Sequence, residues 1–180
     1  MTVILSGSST DKQAELSADR LFSRFPDVSA VSKATEEEIG EEIHSSGLYR
    51  AKAHNIHELA MIVEKRGGIP ETMEELVLLP GVGEKTAACY LSAILGQPAV
   101  VVDTHFARTS QRLGIATHKE RGRIAEEIRG RFPPECWNRL SDTVNLLGRT
   151  YCRPVPKCGE CFMNGLCPSA KAPGKSLKTK

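Results

Sequence analysis

The sequence lacks any long apolar run, so no membrane-spanning helix is expected. A helix needs about 20 predominantly apolar residues to cross a bilayer, and no run in these 180 residues approaches that length. The first ten residues, MTVILSGSST, contain only Val3–Leu5 as an apolar core, which is too short for a secretory signal peptide. We therefore expect an intracellular chain whose six cysteines are not paired in disulfides.

The sequence also lacks a strong excess of either charge, so its net charge does not identify a partner. The formal net charge is +2, which is too small to mark a nucleic-acid binder by itself. Positive charge is concentrated in residues 169–180, which contain four lysines, Pro173 and Gly174 but no acid. We expect a disordered basic tail there. It acts either as a solubilising segment or through weak attraction to phosphates.

No segment shows the pattern of a β-sheet, and there is no internal repeat or low-complexity region. With 40% hydrophobic and 26% charged residues, the chain is expected to be globular, and its apolar residues recur at helical spacing. Helices are predicted from 11 to 25, 35 to 45, 49 to 66, 72 to the turn at 79, 84 to 95, 104 to 114, 117 to 132 and 135 to 147. Val3–Leu5 is interpreted as the end of a buried helix, and Ala99–Val102 as an extended link. The predicted fold class is therefore all-α with short connections.

Several helix starts carry side chains suited to capping them. Three Thr and Glu pairs have the spacing of a capping box, in which each residue's side chain accepts from the other's backbone N–H. The pairs are Thr35 and Glu38, Thr72 and Glu75, and Thr117 and Glu120. Asp103 precedes the helix from Thr104 and is a further N-cap candidate, a role worth about 1 kcal/mol.

The stretch 79–91, LPGVGEKTAACYL, joins two helices through a glycine-rich turn. Gly81 and Gly83 permit backbone angles that a Cβ forbids, and they leave the surface bare for a phosphate. The N–H groups from Val82 to Thr86 would face that phosphate at the positive end of a helix dipole. The turn is interpreted as a helix-hairpin-helix motif that holds a nucleic-acid backbone without reading its sequence. An ordinary glycine-rich connection is the alternative.

Four of the six cysteines lie close together near the C-terminus with the spacing C-x5-C-x2-C-x5-C. They are Cys152, Cys158, Cys161 and Cys167. Four thiolates so close together indicate a metal site, and both Zn²⁺ and a [4Fe–4S] cluster fit the spacing. Cys89 and Cys136 are dispersed and are assigned to packing. Arg153 and Lys157 flank the ligands and either meet phosphates or are solvated charges near an anionic cluster.

These motifs together resemble the endonuclease III family of DNA glycosylases. The matching stretches are LPGVGEKTA at 79–87, VDTHFAR at 102–108 and GRTYC with the cysteine loop at 148–167, and looser similarity includes GLYRAKAHNI at 47–56 and LSGSSTD at 5–11. The resemblance implies a two-lobed helix-hairpin-helix DNA glycosylase fold with a C-terminal four-cysteine loop that holds a [4Fe–4S] cluster. It also implies a monomer that acts on double-stranded DNA with a damaged base or an abasic site, with no membrane partner.

The resemblance implies that Lys85 is the nucleophile and Asp103 the essential carboxylate. A lysine beside a helix N-terminus has its ammonium form disfavoured, and a nucleophile requires the neutral amine. Lys85 would attack the sugar C1′, displace the base and form a Schiff base before β-elimination nicks the strand, while Asp103 stabilises positive charge on the sugar. Leu48 would enter the duplex as the base leaves the stack. The alternative is that Leu48 simply packs at a helix start.

The chain departs from the family pattern in three features. About three helical turns are expected before VILSGSSTD and are missing here, which indicates either a shortened form or a truncated start. Ser8 stands where the family commonly has a glutamine that fills the gap left by the flipped base. The first interval between cysteines is one residue shorter than usual, which predicts a tighter loop between Cys152 and Cys158.

The predicted function is base excision repair by a DNA glycosylase and AP lyase that removes oxidised pyrimidines and nicks abasic DNA. Its alternatives are a monofunctional adenine or mismatch glycosylase, against which Lys85 argues, a family member that binds DNA without catalysis, and a zinc protein without DNA function. The predicted domains are a helical lobe at 1–100 with the hairpin, lacking the N-terminal part of the family domain, a cluster lobe at 101–168 and the tail at 169–180. The expected location is the cytoplasm, nucleoid or nucleus.

Overall fold

A computed structural model describes residues 1–170, which form α-helices and short 3₁₀ turns without any β-strand. The α-helices are α1 (Thr2–Ser6), α2 (Asp11–Arg24), α3 (Val28–Lys33), α4 (Glu36–Ile43), α5 (Tyr49–Arg66), α6 (Met73–Leu76), α7 (Glu84–Ala93), α8 (Thr104–Leu113), α9 (Arg121–Arg131) and α10 (Trp137–Thr150). The predicted all-α class is confirmed. No helix in this part of the chain is long and apolar enough to cross a membrane. The predicted basic tail lies outside the described residues from Lys171 onward.

The chain divides into two compact units, of which the first is Met1–Leu95. In this unit α5 packs against α3 and α4, and α2 packs against α1 and α4. The apolar residues of α5 are buried because they recur on one helical face. They are Ala53, Ile56, Leu59, Ala60 and Val63. Short α1 buries Ile4 and Leu5, as expected for the end of a buried helix. The largest apolar side chains that are fully buried in this unit are Leu5, Leu21, Val31, Ile39, Ile43, Ile56 and Leu76.

The second unit begins at Gly96 and is centred on the packing of α8 against α10. Phe106 of α8 is fully buried in its core. Trp137 covers the core edge and donates from Nε1 to the carbonyl oxygen of Phe132 at 2.8 Å. The buried core residues are Val100, Val102, Phe106, Ala116, Ile124, Ala125, Ile128 and Val144. This core holds α8, and therefore Asp103 at its start, in a defined position.

Two of the three predicted Thr caps are present. Thr35 forms a full capping box with Glu38: its hydroxyl accepts from the Glu38 N–H, and the Glu38 carboxylate accepts from the Thr35 N–H at 2.8 Å. Thr72 accepts from the Glu75 N–H at 3.4 Å, while the Glu75 side chain pairs with Arg66 at 2.7 Å. The predicted box at Thr72 is therefore wrong in its second half, and only the Thr72 cap is present. Local spacing therefore identified these starts because both partners lie within one turn.

The third predicted cap, Thr117, is wrong. Helix α9 begins at Arg121, and its N-cap residue, Glu120, has no side-chain capping bond. The Thr117 hydroxyl instead donates to Glu127 at 2.6 Å. The Glu127 carboxylate, which lies within α9, thus accepts from the hydroxyl that the sequence spacing had assigned to a capping box with Glu120.

Other element boundaries differ from the predictions. Helix α3 was not predicted, because six residues are too few to show a periodic pattern, although Asp27 caps it by accepting from the Ala30 N–H at 2.8 Å. The last helix follows a 3₁₀ turn at Pro134–Cys136 and reaches Thr150 rather than Leu147. Each difference lies at a short or frayed end, where propensity is a weak guide.

Candidate functional site

The turn before α7 brings Gly81 against Asn55 of α5. Gly81 has φ of +71°, and a Cβ there would lie 2.9 Å from the Asn55 Cβ. Both the left-handed backbone and the close approach therefore require glycine. Gly83 has φ of −91° and ψ of 175°, which any residue adopts, so the prediction that it needs a forbidden angle is wrong. A Cβ on Gly83 would meet nothing within 4 Å, and its glycine leaves an open surface.

Backbone N–H groups at the start of α7 are available to an anion. Gly83 is the N-cap and offers no side-chain capping bond, while the first helical bond runs from the Ala87 N–H to the Gly83 carbonyl oxygen at 3.0 Å. The Val82 N–H donates to the Leu79 carbonyl oxygen at 3.1 Å, so the expectation that it is free is wrong. Within the described residues, the N–H groups from Gly83 to Thr86 have no acceptor, and such groups favour phosphate.

Lys85 is the second residue of α7 and is half-buried. Its side chain forms no hydrogen bond or ion pair with any other described residue. The neighbouring Thr86 is also half-buried. The Lys85 amine has no carboxylate partner and lies next to unpaired backbone N–H groups. If those N–H groups bind a phosphate, the amine could attack an electrophilic atom of the same strand.

Asp103 uses both of its carboxylate oxygens. Oδ1 accepts from the Phe106 N–H at 2.7 Å and caps α8, and Oδ2 accepts from Asn145 Nδ2 at 2.6 Å. The Asn145 Oδ1 in turn accepts from Arg149 Nε at 2.9 Å. The N-cap role considered from sequence is therefore present, and the carboxylate is also held in one orientation by α10. Sequence reasoning missed Asn145, because an asparagine within an amphipathic helix carries no motif of its own.

Ser8 and Leu48 are both exposed and both have left-handed backbones, with φ of 52° and 57°. Leu48 is the N-cap of α5, and its side chain is 70% exposed. That exposure excludes the alternative in which Leu48 packs at the helix start. Both residues lie in the first unit and present side chains to solvent at turns that precede helices.

The four clustered cysteines line one small, largely apolar cavity in the second unit. Leu113, Leu147, Tyr151 and Met163 complete much of its wall. None of the six cysteines forms a disulfide. Cys136 is exposed, so its assignment to packing is wrong, whereas Cys89 is partly buried. Among the described residues, no group of three His, Cys, Asp or Glu side chains converges closely enough to hold one metal ion.

Two arginines of α8 form hydrogen bonds with the cysteine loop and hold it against this helix. Arg108 donates from Nε to the Cys152 carbonyl oxygen at 2.9 Å. Arg112 donates to the carbonyl oxygens of Arg153 and Pro154 at 2.7 and 3.1 Å, and its Nη1 lies 3.5 Å from the Cys152 Sγ. Sequence reasoning did not single out these arginines, although their spacing of one helical turn on α8 was a usable signal.

The two basic residues predicted to meet phosphates are both exposed. Arg153 donates from Nε to the Arg149 carbonyl oxygen at 3.0 Å. The Lys157 Nζ lies 3.5 Å from a carboxylate oxygen of Glu160. Exposed pairs of this kind are weak, so both side chains can exchange these contacts for a phosphate. Their role stays a prediction.

Comparison with known proteins gives consistent matches over nearly the whole chain. The family of HhH-GPD superfamily base excision DNA repair proteins matches residues 1–134. The chain is 40% identical to endonuclease III of Synechocystis sp. over 176 residues, which is 96% of this chain and 80% of that protein. It is 35% identical to endonuclease III of Thermotoga maritima over 178 residues, which is 97% of this chain and 84% of that protein. A structure of an endonuclease III–DNA covalent intermediate, trapped as an estranged-adenine complex, matches with a TM-score of 0.87 and 34% identity, and covers 94% of this chain and 81% of that chain.

Proposed function

The chain belongs to the HhH-GPD superfamily of base excision DNA repair proteins, and from this premise we propose that it is a DNA glycosylase and AP lyase of the endonuclease III type. Its substrates are oxidised pyrimidines and abasic sites in double-stranded DNA. It acts on them as a monomer, in the cellular compartment that contains the DNA. The observation that carries the proposal is the Lys85 amine, which has no partner among the described residues and belongs to the segment whose backbone N–H groups are open, Gly83 to Thr86.

Lys85 acts as the nucleophile at the sugar. Its neutral amine attacks C1′, a C1′–N bond forms, and the glycosidic bond breaks so that its electron pair and a proton leave with the base. The C1′–O4′ bond then opens, O4′ gains a proton, and a protonated imine remains on Lys85. Loss of a C2′ proton expels the 3′ phosphate by cleavage of the C3′–O bond, and water hydrolyses the imine. At an abasic site the amine adds to the C1′ aldehyde directly and water leaves.

Asp103 supports this sequence as a fixed negative charge. A carboxylate near the sugar stabilises the positive charge that develops there and assists proton movement. Its bonds to the Phe106 N–H and to Asn145 hold the carboxylate in one orientation, which lowers the cost of reorganisation during the reaction. Lys85 belongs to the first unit and Asp103 to the second.

The hairpin holds the strand while the base is extruded. The N–H groups from Gly83 to Thr86 bind a phosphate, and the bare surface of Gly83 allows its close approach. Gly81 and Val82 shape the turn. Leu48 enters the duplex at the gap, an action that suits a residue that is 70% exposed at the turn before α5. Arg153 and Lys157 add electrostatic attraction to the DNA phosphates, which weakens as the salt concentration rises.

The cysteine loop is proposed to hold a [4Fe–4S] cluster. Four thiolates around a small apolar cavity are a donor set that would suit it. They do not converge on a single point among the described residues, as the four Zn–S bonds of about 2.3 Å to one Zn²⁺ would require. Cys152, Cys158, Cys161 and Cys167 would be the ligands, and Arg112 would donate towards the Cys152 sulfur. When bound, the cluster supplies structural support and positions the loop.

Borohydride trapping tests the function directly. Wild type, Lys85→Ala and a control, Lys65→Ala, are incubated with duplexes that carry an abasic site or thymine glycol. Lys65 is an exposed lysine of α5. We expect a covalent adduct with wild type and with Lys65→Ala, and none with Lys85→Ala. An equal adduct with Lys85→Ala would refute its role as nucleophile, and the absence of any wild-type adduct would refute the lyase.

A further inference from the structure

Lys52 is a buried lysine that the proposed mechanism does not use. It lies in the first turn of α5 and is 7% exposed. Its Nζ donates towards the carbonyl oxygens of Leu5 at 2.8 Å and Gly7 at 2.5 Å, and towards the hydroxyls of Ser9 at 3.0 Å and Ser46 at 2.5 Å. No carboxylate among the described residues pairs with it, and burial lowers the pKa of Lys52. These four oxygens therefore provide the contacts that hold the ammonium inside the protein.

The oxygens come mainly from two segments that are distant in sequence, 7–9 after α1 and 46–48 before α5, which we name the paired loops. The Ser9 hydroxyl accepts from the Gly47 N–H at 3.0 Å and lies 2.9 Å from the Ser46 hydroxyl. A Cβ on Gly47 would overlap the carbonyl oxygen of Ser8. The paired loops are thus in direct contact, and Lys52 bonds to both.

Each of the paired loops carries one exposed residue in an unusual backbone conformation. Ser8 has φ of 52° and Leu48 has φ of 57°. Left-handed backbones are uncommon for residues other than glycine, and they persist where the surrounding structure over-determines them. Lys52 bonds to Gly7 and Ser9 on either side of Ser8 and to Ser46, two residues before Leu48, and its own backbone N–H donates to the Leu48 carbonyl oxygen at 3.1 Å. The network is therefore placed to enforce both conformations at once.

We propose that Lys52 is a positioning residue whose ammonium locks the paired loops together, so that Ser8 and Leu48 are presented as one rigid element to DNA at the site of the extruded base. An ammonium has three N–H donors on a compact centre, which the four surrounding oxygens share, and this geometry suits acceptors that converge from several directions. The planar guanidinium of arginine has a different, forked geometry. This inference rests on the proposed function for the identity of the ligand, but the locking itself does not.

Hydrogen exchange tests the lock without any substrate. Backbone amide exchange is measured for wild type, Lys52→Met and the matched control Lys65→Met, which removes an exposed lysine from the same helix. We expect exchange at least tenfold faster in both paired loops of Lys52→Met and wild-type exchange in Lys65→Met. Exchange that stays at the wild-type rate in either loop of Lys52→Met would overturn the proposal.

A comparison of substrates tests the consequence for DNA. Trapping rates are measured on an abasic site in a duplex, which requires insertion into the stack, and on the same site in a single strand, which does not. For Lys52→Met we expect at least a tenfold loss on the duplex and a change within twofold on the single strand. An equal loss on both substrates would overturn the positioning role, because a general structural defect would have that effect.

Smaller changes keep the proposal testable if Lys52→Met does not fold. Ser9→Ala and Ser46→Ala each remove one hydroxyl from the ammonium, and each is expected to accelerate exchange in both paired loops. Acceleration confined to the substituted loop would show that the loops are not locked together. If wild type forms no adduct on either DNA, the proposed function fails, while the exchange comparison still decides whether Lys52 joins the loops.

Discussion

At the residue scale, Asp103 has an observed structural role and a proposed chemical one. One oxygen caps α8 and the other accepts from Asn145. An N-cap alone needs only an acceptor oxygen, which asparagine also supplies. The stabilisation of a cationic sugar requires the negative charge, which asparagine lacks. The two roles can therefore be separated by substitution.

We predict that Asp103→Asn retains the fold but loses at least about 100-fold in single-turnover excision, a loss typical of electrostatic stabilisers. Asp103→Ala should lose the same activity and also about 1 kcal/mol of stability. That difference corresponds to a thermal midpoint about 2–4 °C below that of Asp103→Asn. Trapping kinetics and thermal unfolding measure the two effects. A fully active Asp103→Asn would show that Asp103 is only a cap.

Glu127 illustrates a carboxylate that organises a turn. It accepts from the Thr117 hydroxyl at 2.6 Å, the Thr117 N–H at 2.8 Å and the His118 N–H at 3.1 Å. These bonds, led by the one from the Thr117 hydroxyl, lower the pKa of Glu127 to about 2. Since the unfolded chain binds this proton at higher pH than the folded chain, the stabilisation is complete above about pH 4.5 and is lost as pH falls towards 2.

We therefore predict that Glu127→Gln lowers stability at neutral pH and flattens its pH dependence between about pH 4.5 and 2. Urea midpoints measured across this range for wild type and the variant would show the difference shrinking as pH falls. Glu126→Gln is the matched control, because this exposed neighbour pairs only with Arg123 among the described residues. A constant difference between wild type and Glu127→Gln at all pH values would contradict the assignment.

At the scale of the element, the hairpin before α7 uses its two glycines for different purposes. Gly81 is required by its backbone angle and by contact with Asn55. Gly83 is free of both constraints and leaves the helix N-terminus uncovered. The glycine at 81 therefore serves folding, whereas the glycine at 83 is proposed to allow a phosphate to approach.

We predict that Gly83→Ala folds with a loss of under about 1 kcal/mol, since alanine is only a poorer N-cap. It should bind abasic duplex about tenfold more weakly, a change of about 1.4 kcal/mol, because the added methyl group obstructs the phosphate. Gly81→Ala should lose stability as well as affinity, because it combines steric overlap with a strained backbone. Denaturant unfolding and fluorescence anisotropy with labelled duplex distinguish the two. Wild-type affinity in Gly83→Ala would exclude phosphate binding at this turn.

At the scale of the whole molecule, each unit has its own apolar core, but the cysteine loop has little core of its own. Val155, Phe162 and Leu166 of this loop are 85%, 72% and 80% exposed. Side-chain hydrogen bonds from α8 to carbonyl oxygens of the loop come from Arg108 and Arg112. The cluster proposed for the four cysteines would therefore supply much of the loop's order.

We predict that Cys158→Ala loses the absorbance near about 400 nm that an iron–sulfur cluster would give. Amides at 151–167 should exchange faster, while those around the buried Phe106 core keep their protection. Cys136→Ala is the control, since Cys136 is exposed and lies outside the cavity of the four cysteines. Metal analysis accompanies the spectra. One zinc per chain without iron would instead support the zinc alternative.

Much of the architecture could be predicted because its signals are local. Helical spacing identified α2, α5 and α8 since one amphipathic face repeats every 3.6 residues. The Thr35 capping box and the spacing of the four cysteines were readable for the same reason. The prediction failed at Thr117 because Glu127, ten residues further along, competes for its hydroxyl. Short α3 lacked enough residues to show a period at all.

The sequence by itself determined the helical class, the hairpin and the spacing of the four cysteines, because each depends on residues close together in the chain. The choice of Lys85 and Asp103 came from the family resemblance, and their roles stay predictions. Only the tertiary structure decided the contact of Lys52 with Leu5, of Asn145 with Asp103 and of Arg112 with the Cys152 loop. These partners come from separate segments, and no local pattern encodes their meeting. Packing of the helices brings them together, and buried polar groups must then find partners where the fold has placed them.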